Sequence, residues 1–136
     1  MAYWLLKTEP EEWSWDHQVK KGIESWTGVR NFMAARNLRA MKTGERAFFY
    51  HTGDEKRIVG IVEVVKTAYR DPTDETGKFV AVDVKTVMPV KSPVTLAAIK
   101  ADARFKDFLL VRQSRLSVVP VPDEHWRDIS RMAGMA

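Results

Sequence analysis

The chain has 136 residues and 15.6 kDa, a length that fits one domain, residues 1–136, with about two-thirds of its extended surface buried. Its 45% hydrophobic and 29% charged residues, with 7 Gly and 6 Pro, exclude disordered, collagen-like and low-complexity classes, and the absence of cysteine removes disulfides, thiolate metal sites and Cys nucleophiles. No stretch approaches the roughly 18 to 20 apolar residues of a membrane span and the N-terminus carries no signal-like run, so a cytoplasmic protein with no membrane association is expected. The net charge is +4 and the pI near 9.4. The excess is concentrated: Lys20, Lys21, Arg30, Arg36, Arg39, Lys42 and Arg46 face only Glu24 and Glu45 across residues 20–46, and Lys100, Arg104, Lys106, Arg112 and Arg115 face only Asp102 and Asp107 across 100–115. Two such blocks can form one surface for a polyanion, or remain solvated faces.

In chain order, Tyr3 to Lys7 reads as a strand stopped by Pro10, and Ser14 or Thr8 caps a helical turn or two that Gly22 closes. Val29 to Met41 reads as an amphipathic helix with Ala34, Leu38 and Met41 inside and Arg36 and Arg39 outside. Trp26 falls in the polar, Gly-containing connection before it. Strands follow at Arg46 to Thr52, Arg57 to Tyr69 and Phe79 to Pro89. The second has apolar residues on both faces, as in a buried strand, and the third alternates. The polar loop Asp71 to Gly77 separates them. Thr95 caps a short helix carrying Leu96 and Ile99, Leu109 to Arg112 and Leu116 to Val121 read as strands, and Asp123 opens a helix with Trp126, Ile129 and Met132 on its inner face. Strands interrupted by short helices without regular alternation give an α+β fold, a mixed barrel of about five or six strands.

The phosphate-loop, dinucleotide, zinc-protease and nucleophile-elbow motifs are all absent. His17, His51 and His125 have no ligand spacing, so neither a metal nor a cofactor is expected. A Ser14 or Ser114, His51, Asp71 triad carries little weight, because any chain of this size offers many such triples. Tryptophan stands out: five residues are about three times the usual share of about one per cent, and Trp4, Trp13, Trp15 and Trp26 lie in the first 26. Trp4 and Trp126 suit the core, and Trp13 and Trp15 suit wedges between helix and barrel. Trp26 stands beside Arg30 and Asn31, and these three offer a flipped base a face to stack on, an amide for its edge and a cation for its phosphate.

Eight ordered segments carry a resemblance: Tyr3-Trp4-Leu5-Leu6-Lys7-Thr8-Glu9-Pro10, Trp13-Ser14-Trp15-Asp16, Trp26-Thr27-Gly28-Val29-Arg30-Asn31, Phe48-Phe49-Tyr50-His51, Ile58-Val59-Gly60-Ile61, Ala68-Tyr69-Arg70-Asp71-Pro72-Thr73, Pro93-Val94-Thr95-Leu96 and residues 110–118 from Leu110 to Val118. Together, over residues 3 to 132, they resemble the EVE domain family of the PUA-like superfamily, distantly related to YTH domains. The resemblance implies a PUA-like pseudo-barrel and a non-enzymatic reader of modified bases, in DNA (5-methylcytosine and related marks) or in RNA. It places the aromatic wall at Trp26 and at Tyr50 or Tyr69. Polar base contacts would come from Lys7, Thr8, Thr27, Asn31 and His51, and phosphate contacts from Arg30, Arg112, Ser114 and Arg115. The chain departs from the family pattern at His17, where a second acid is usual, and at Arg70, where proline is usual. The alternatives are an enzyme acting on a base or nucleotide, with His51 as general base oriented by Asp71, and a module binding an acidic protein.

Overall fold

The computed structural model describes residues 1–135. Strands β1 (Tyr3–Thr8), β2 (Ile23–Trp26), β3 (Arg46–His51), β4 (Arg57–Arg70), β5 (Val80–Thr95) and β6 (Val118–Val121) form one mixed sheet in the order β2-β5-β4-β3-β1-β6. Among the described residues β1 and β3 pair parallel and the other neighbours pair antiparallel. Helices α1 (Trp15–Lys21), α2 (Phe32–Ala40), α3 (Leu96–Lys100), α4 (Leu109–Arg112) and α5 (Asp123–Met132) complete the α+β fold. The six strands meet the expected number, but the sheet stays open, with β2 and β6 as its edges.

The ends of α1 follow from its sequence. Ser14 accepts from the His17 N–H at 3.1 Å, and His17 Nδ1 accepts from the Ser14 N–H at 3.0 Å, so His17 completes a capping box with Ser14. Gly22 closes the helix at φ 82°, a left-handed conformation that glycine adopts without strain. Helix α2 begins at Phe32, three residues later than its apolar period suggested, because the Asn31 side chain caps it by accepting from the Ala34 N–H at 2.9 Å. Ala34, Leu38 and Met41 are buried and Arg36 and Arg39 exposed, as expected. In α5, Ile129 is buried, and Trp126 stacks on Phe48 at 3.9 Å and on Tyr3 at 4.3 Å, contributing about 0.5–1.5 kcal/mol per pair beyond area burial.

Three segments differ from their sequence reading. Residues 109–112 form a helical turn rather than a strand: the Phe108 carbonyl accepts from Val111 and Arg112 N–H at 2.9 and 3.0 Å, and a four-residue apolar run fits either state. β5 runs six residues beyond Pro89, because Pro89 sits opposite Gly60 where the β4–β5 register shifts and no ladder donor is required. The connection thought to hold Trp26 contains an edge strand, β2, paired antiparallel to β5 with Trp26 opposite Val82. Ile23 points outward and Trp26 inward, which hid the alternation.

Gly60 serves the Trp15 ring more than strand packing. A Cβ at Gly60 would lie 2.4 Å from Trp15 Cζ3, so only glycine admits the indole, which meets Phe49 edge-on at 5.2 Å. This contact seats α1 on the sheet and fixes the turn before it, where Trp13 lies.

Candidate nucleic-acid interface

Where the C-terminal ends of β1 and β2 meet the loop into α2 and the segment before β6, a cleft of about 520 Å³ opens. Trp26 forms one wall. It is 7% exposed, held edge-on against Phe49 at 5.7 Å, so only a strip of the ring faces the cleft. Trp13 adds a second, half-buried indole whose Nε1–H donates to Gln18 Oε1 at 2.9 Å, and Gln18 is itself fully buried. The Thr8 hydroxyl donates to the Trp13 carbonyl at 2.8 Å, tying that turn to β1. Asn31 spends its Oδ1 on the helix cap, which leaves its amide N–H groups for a ligand.

The loop floor is fixed from below by Asp71. This buried carboxylate accepts from the Gly28 N–H at 2.8 Å, Arg30 at 3.0 Å, and the N–H and hydroxyl of Thr73 at 2.7 and 2.6 Å. Burial alone would raise its pKa, but the hydrogen bonds from Thr73, Gly28 and Arg30 outweigh it and hold the group at about 2. Arg30 lines the cleft with its charge paired to Asp71, donates to the Thr73 hydroxyl at 2.9 Å and lies 5.5 Å from the Phe79 ring centre. Lys7 and Arg115 line the cleft without an ion pair among the described residues. Lys7 Nζ donates to the Ser114 carbonyl at 3.0 Å, and its burial lowers its pKa.

Eight of the twelve residues singled out from sequence therefore meet in one cleft: Lys7, Thr8, Trp26 and Thr27 with Arg30, Asn31, Ser114 and Arg115. Four do not. His51 is 7% exposed with both ring nitrogens engaged: Nε2 accepts from the Trp15 N–H at 3.0 Å and Nδ1 meets Glu55 at 2.9 Å. Its task is to tie β3 to α1. With Asp71 committed to Arg30, the His51–Asp71 pair required of a general base is not assembled. Tyr69 gives its hydroxyl to Asp83 across β4 and β5, outside the cleft. Arg112 is exposed on α4, also outside it. Tyr50 is 3% exposed and lines a second cavity of about 230 Å³, which shares Lys7, Thr52 and Ser114 with the cleft.

Trp13 was the chief omission. Its place between Pro10 and the Ser14 cap marked it as packing, and only the Thr8 and Gln18 bonds bring its ring to the cleft. The basic block at 100–115 is also less unified than its sequence suggests, because Arg104 pairs with Asp102 and Asp128 at 2.6 and 3.2 Å.

The sequence model of the EVE domain matches residues 2–132. The chain belongs to the EVE domain family. Thymocyte nuclear protein 1 of Gallus gallus is 35% identical, the match covering 92% of this chain and 66% of that protein, so the present domain spans just under two thirds of that relative. Among solved structures, Rpa0253 from Rhodopseudomonas palustris is 54% identical with a TM-score of 0.93, covering 99% of this chain and 94% of that one. Human THYN1 in complex with 5-methylcytosine containing DNA is 30% identical with a TM-score of 0.89, covering 98% of each chain. A YTH domain, that of Zygosaccharomyces rouxii MRB1 with N6-methyladenosine RNA, shares the fold alone, at 16% identity and a TM-score of 0.56 over 97% of this EVE domain and 86% of that chain.

Proposed function

We propose that this EVE domain binds nucleic acid and reads a modified base, which leaves its stack and enters the cleft beside Trp26. The observation that carries the reading is the meeting, in one cleft, of two indoles, a free amide and the unpaired cations Lys7 and Arg115. The binding of 5-methylcytosine containing DNA by human THYN1, alike over almost the whole chain, supports it. Stacking on an indole contributes about 1–3 kcal/mol per base, and a site enclosed by fixed side chains discriminates by shape. The Asn31 amide, left as a donor, suits an acceptor on the base edge, such as cytosine N3 or O2. Arg115 supplies the salt-dependent, sequence-neutral part of the affinity.

The test is the substitution Trp26→Leu, which keeps an apolar side chain against Phe49 and removes the indole. Binding of oligonucleotides with and without one 5-methylcytosine is compared at two salt concentrations, after melting confirms a folded variant. The affinity ratio should fall toward one with the salt slope unchanged. An unchanged ratio would remove Trp26 from the base site, and Asn31→Ser, which preserves the helix cap, gives the same comparison should Trp26→Leu fail to fold.

A further inference from the structure

The second cavity has a chemistry of its own. Lys7, Lys56 and Lys100 line it and no carboxylate does. Tyr50 also lines it, 97% buried. Burial pushes its hydroxyl up to about 12, and as a neutral phenol it offers the cavity a donor at neutral pH. Lys56 is the one non-glycine described with positive φ, 45°, held there by the Leu96 N–H donating to its carbonyl at 2.8 Å. A side chain kept in that conformation at a cavity rim fits a binding role. Leu96, Leu110 and Val111 supply apolar walls beside the exposed Lys56 and Lys100.

The volume limits the ligand. About 230 Å³ lies below the roughly 300–1,000 Å³ of small-molecule sites, leaving room for a tetrahedral anion but not for a nucleotide with its base. Lys7 stands on the saddle between cavity and cleft, its ammonium 5.9 Å from the Tyr50 ring centre.

From these contacts we infer that the Tyr50–Lys56–Lys100 cavity is a phosphate site, and that in the complex it holds a backbone phosphate next to the nucleotide read in the cleft. The strand half of this inference rests on the proposed base reading, whereas the phosphate half rests on the cavity alone.

The experiment uses the full chain and a single-stranded oligonucleotide bearing one 5-methylcytosine, together with two versions in which the phosphate on one side or the other of that nucleotide is a neutral methylphosphonate. One neutral linkage should weaken binding to the wild type. That penalty should vanish in Lys56→Ala/Lys100→Ala, whose salt slope should fall by about 0.7 per lost contact while preference for the modified base persists. Tyr50→Phe should reduce the same penalty. Equal penalties in wild type and double variant would overturn the inference. Inorganic phosphate separates the two sources: amide shifts at Gly53 and Lys100 in the wild type only, with neither neutral linkage mattering, would make this a site for free phosphate and refute its strand role. Equal binding of plain and modified oligonucleotides would refute the base reading instead, and the linkage comparison on the plain strand would still decide the cavity.

Discussion

Asp71→Asn keeps the shape of the group beneath the cleft loop and removes its charge. In the wild type Asp71 Oδ2 takes the Gly28 N–H and Arg30, and Oδ1 takes both donors of Thr73. An asparagine must turn an N–H₂ toward one of these donor pairs. Depression of the carboxyl from 3.8 to about 2 corresponds to about 2 kcal/mol by linkage, trimmed to about 1–2 because Arg30 is partly exposed to solvent. A buried donor left unpaired adds about 1–3 kcal/mol. The variant should lose roughly 2–5 kcal/mol, which at about 2.1 cal/mol/K per residue lowers Tm by roughly 7–17 °C. Because the folded pKa lies below the unfolded one, the charge contributes fully above about pH 4 and its contribution drains away as pH falls through 2. Thermal melts followed by circular dichroism should therefore show a constant gap between wild type and variant from about pH 7 to 5, narrowing toward pH 2. A gap absent at pH 7, or unchanged in acid, would refute the assignment of Asp71 as the charged anchor of the loop.

Gly60→Ala should destabilise the fold by about 1–3 kcal/mol, because its Cβ meets the Trp15 ring, and Gly60→Ala/Trp15→Leu should recover part of that in a double-mutant cycle; a neutral single variant would contradict the close approach. Asn31→Ser should leave stability within about 0.5 kcal/mol, serine being an equivalent cap, yet weaken binding of the modified oligonucleotide; calorimetric melting and a binding titration together check it. Arg115→Ala should weaken plain and modified strands by the same factor and reduce the salt slope by about 0.7, whereas a changed base preference would place Arg115 on the base.

Elements with a strong local signature were legible in the sequence. Ser14 and Thr95 do cap helices, β1, β3 and β4 lie within a residue of their expected ends, and Ile129 is buried as its period requires. Short segments were not: Leu109–Arg112 is too brief for any period to decide, and β2 turns its tryptophan inward and its isoleucine outward. The cleft was legible where its residues are consecutive, at Lys7–Thr8, Trp26–Thr27 and Arg30–Asn31. It was misread where position depends on which face of a strand a side chain takes. Tyr50 and His51 are neighbours on β3 and point to opposite sides of the sheet, Tyr50 to the lysine cavity and His51 to the start of α1, with neither reaching the cleft. Trp13 reaches it through the Thr8 hydroxyl and the buried Gln18, contacts between residues five apart that no pattern specifies.

The central claim is that the cleft distinguishes a modified base from its plain counterpart. Intrinsic tryptophan fluorescence tests it most directly, because Trp13 and Trp26 both line the cleft. Matched DNA and RNA oligonucleotides, each with and without a single modified base, are titrated into the wild-type chain at two salt concentrations. Tighter binding of one modified member, with quenching that persists at the higher salt, is the predicted result. Equal binding of all members, lost together as salt rises, would contradict it and leave only a phosphate-binding surface.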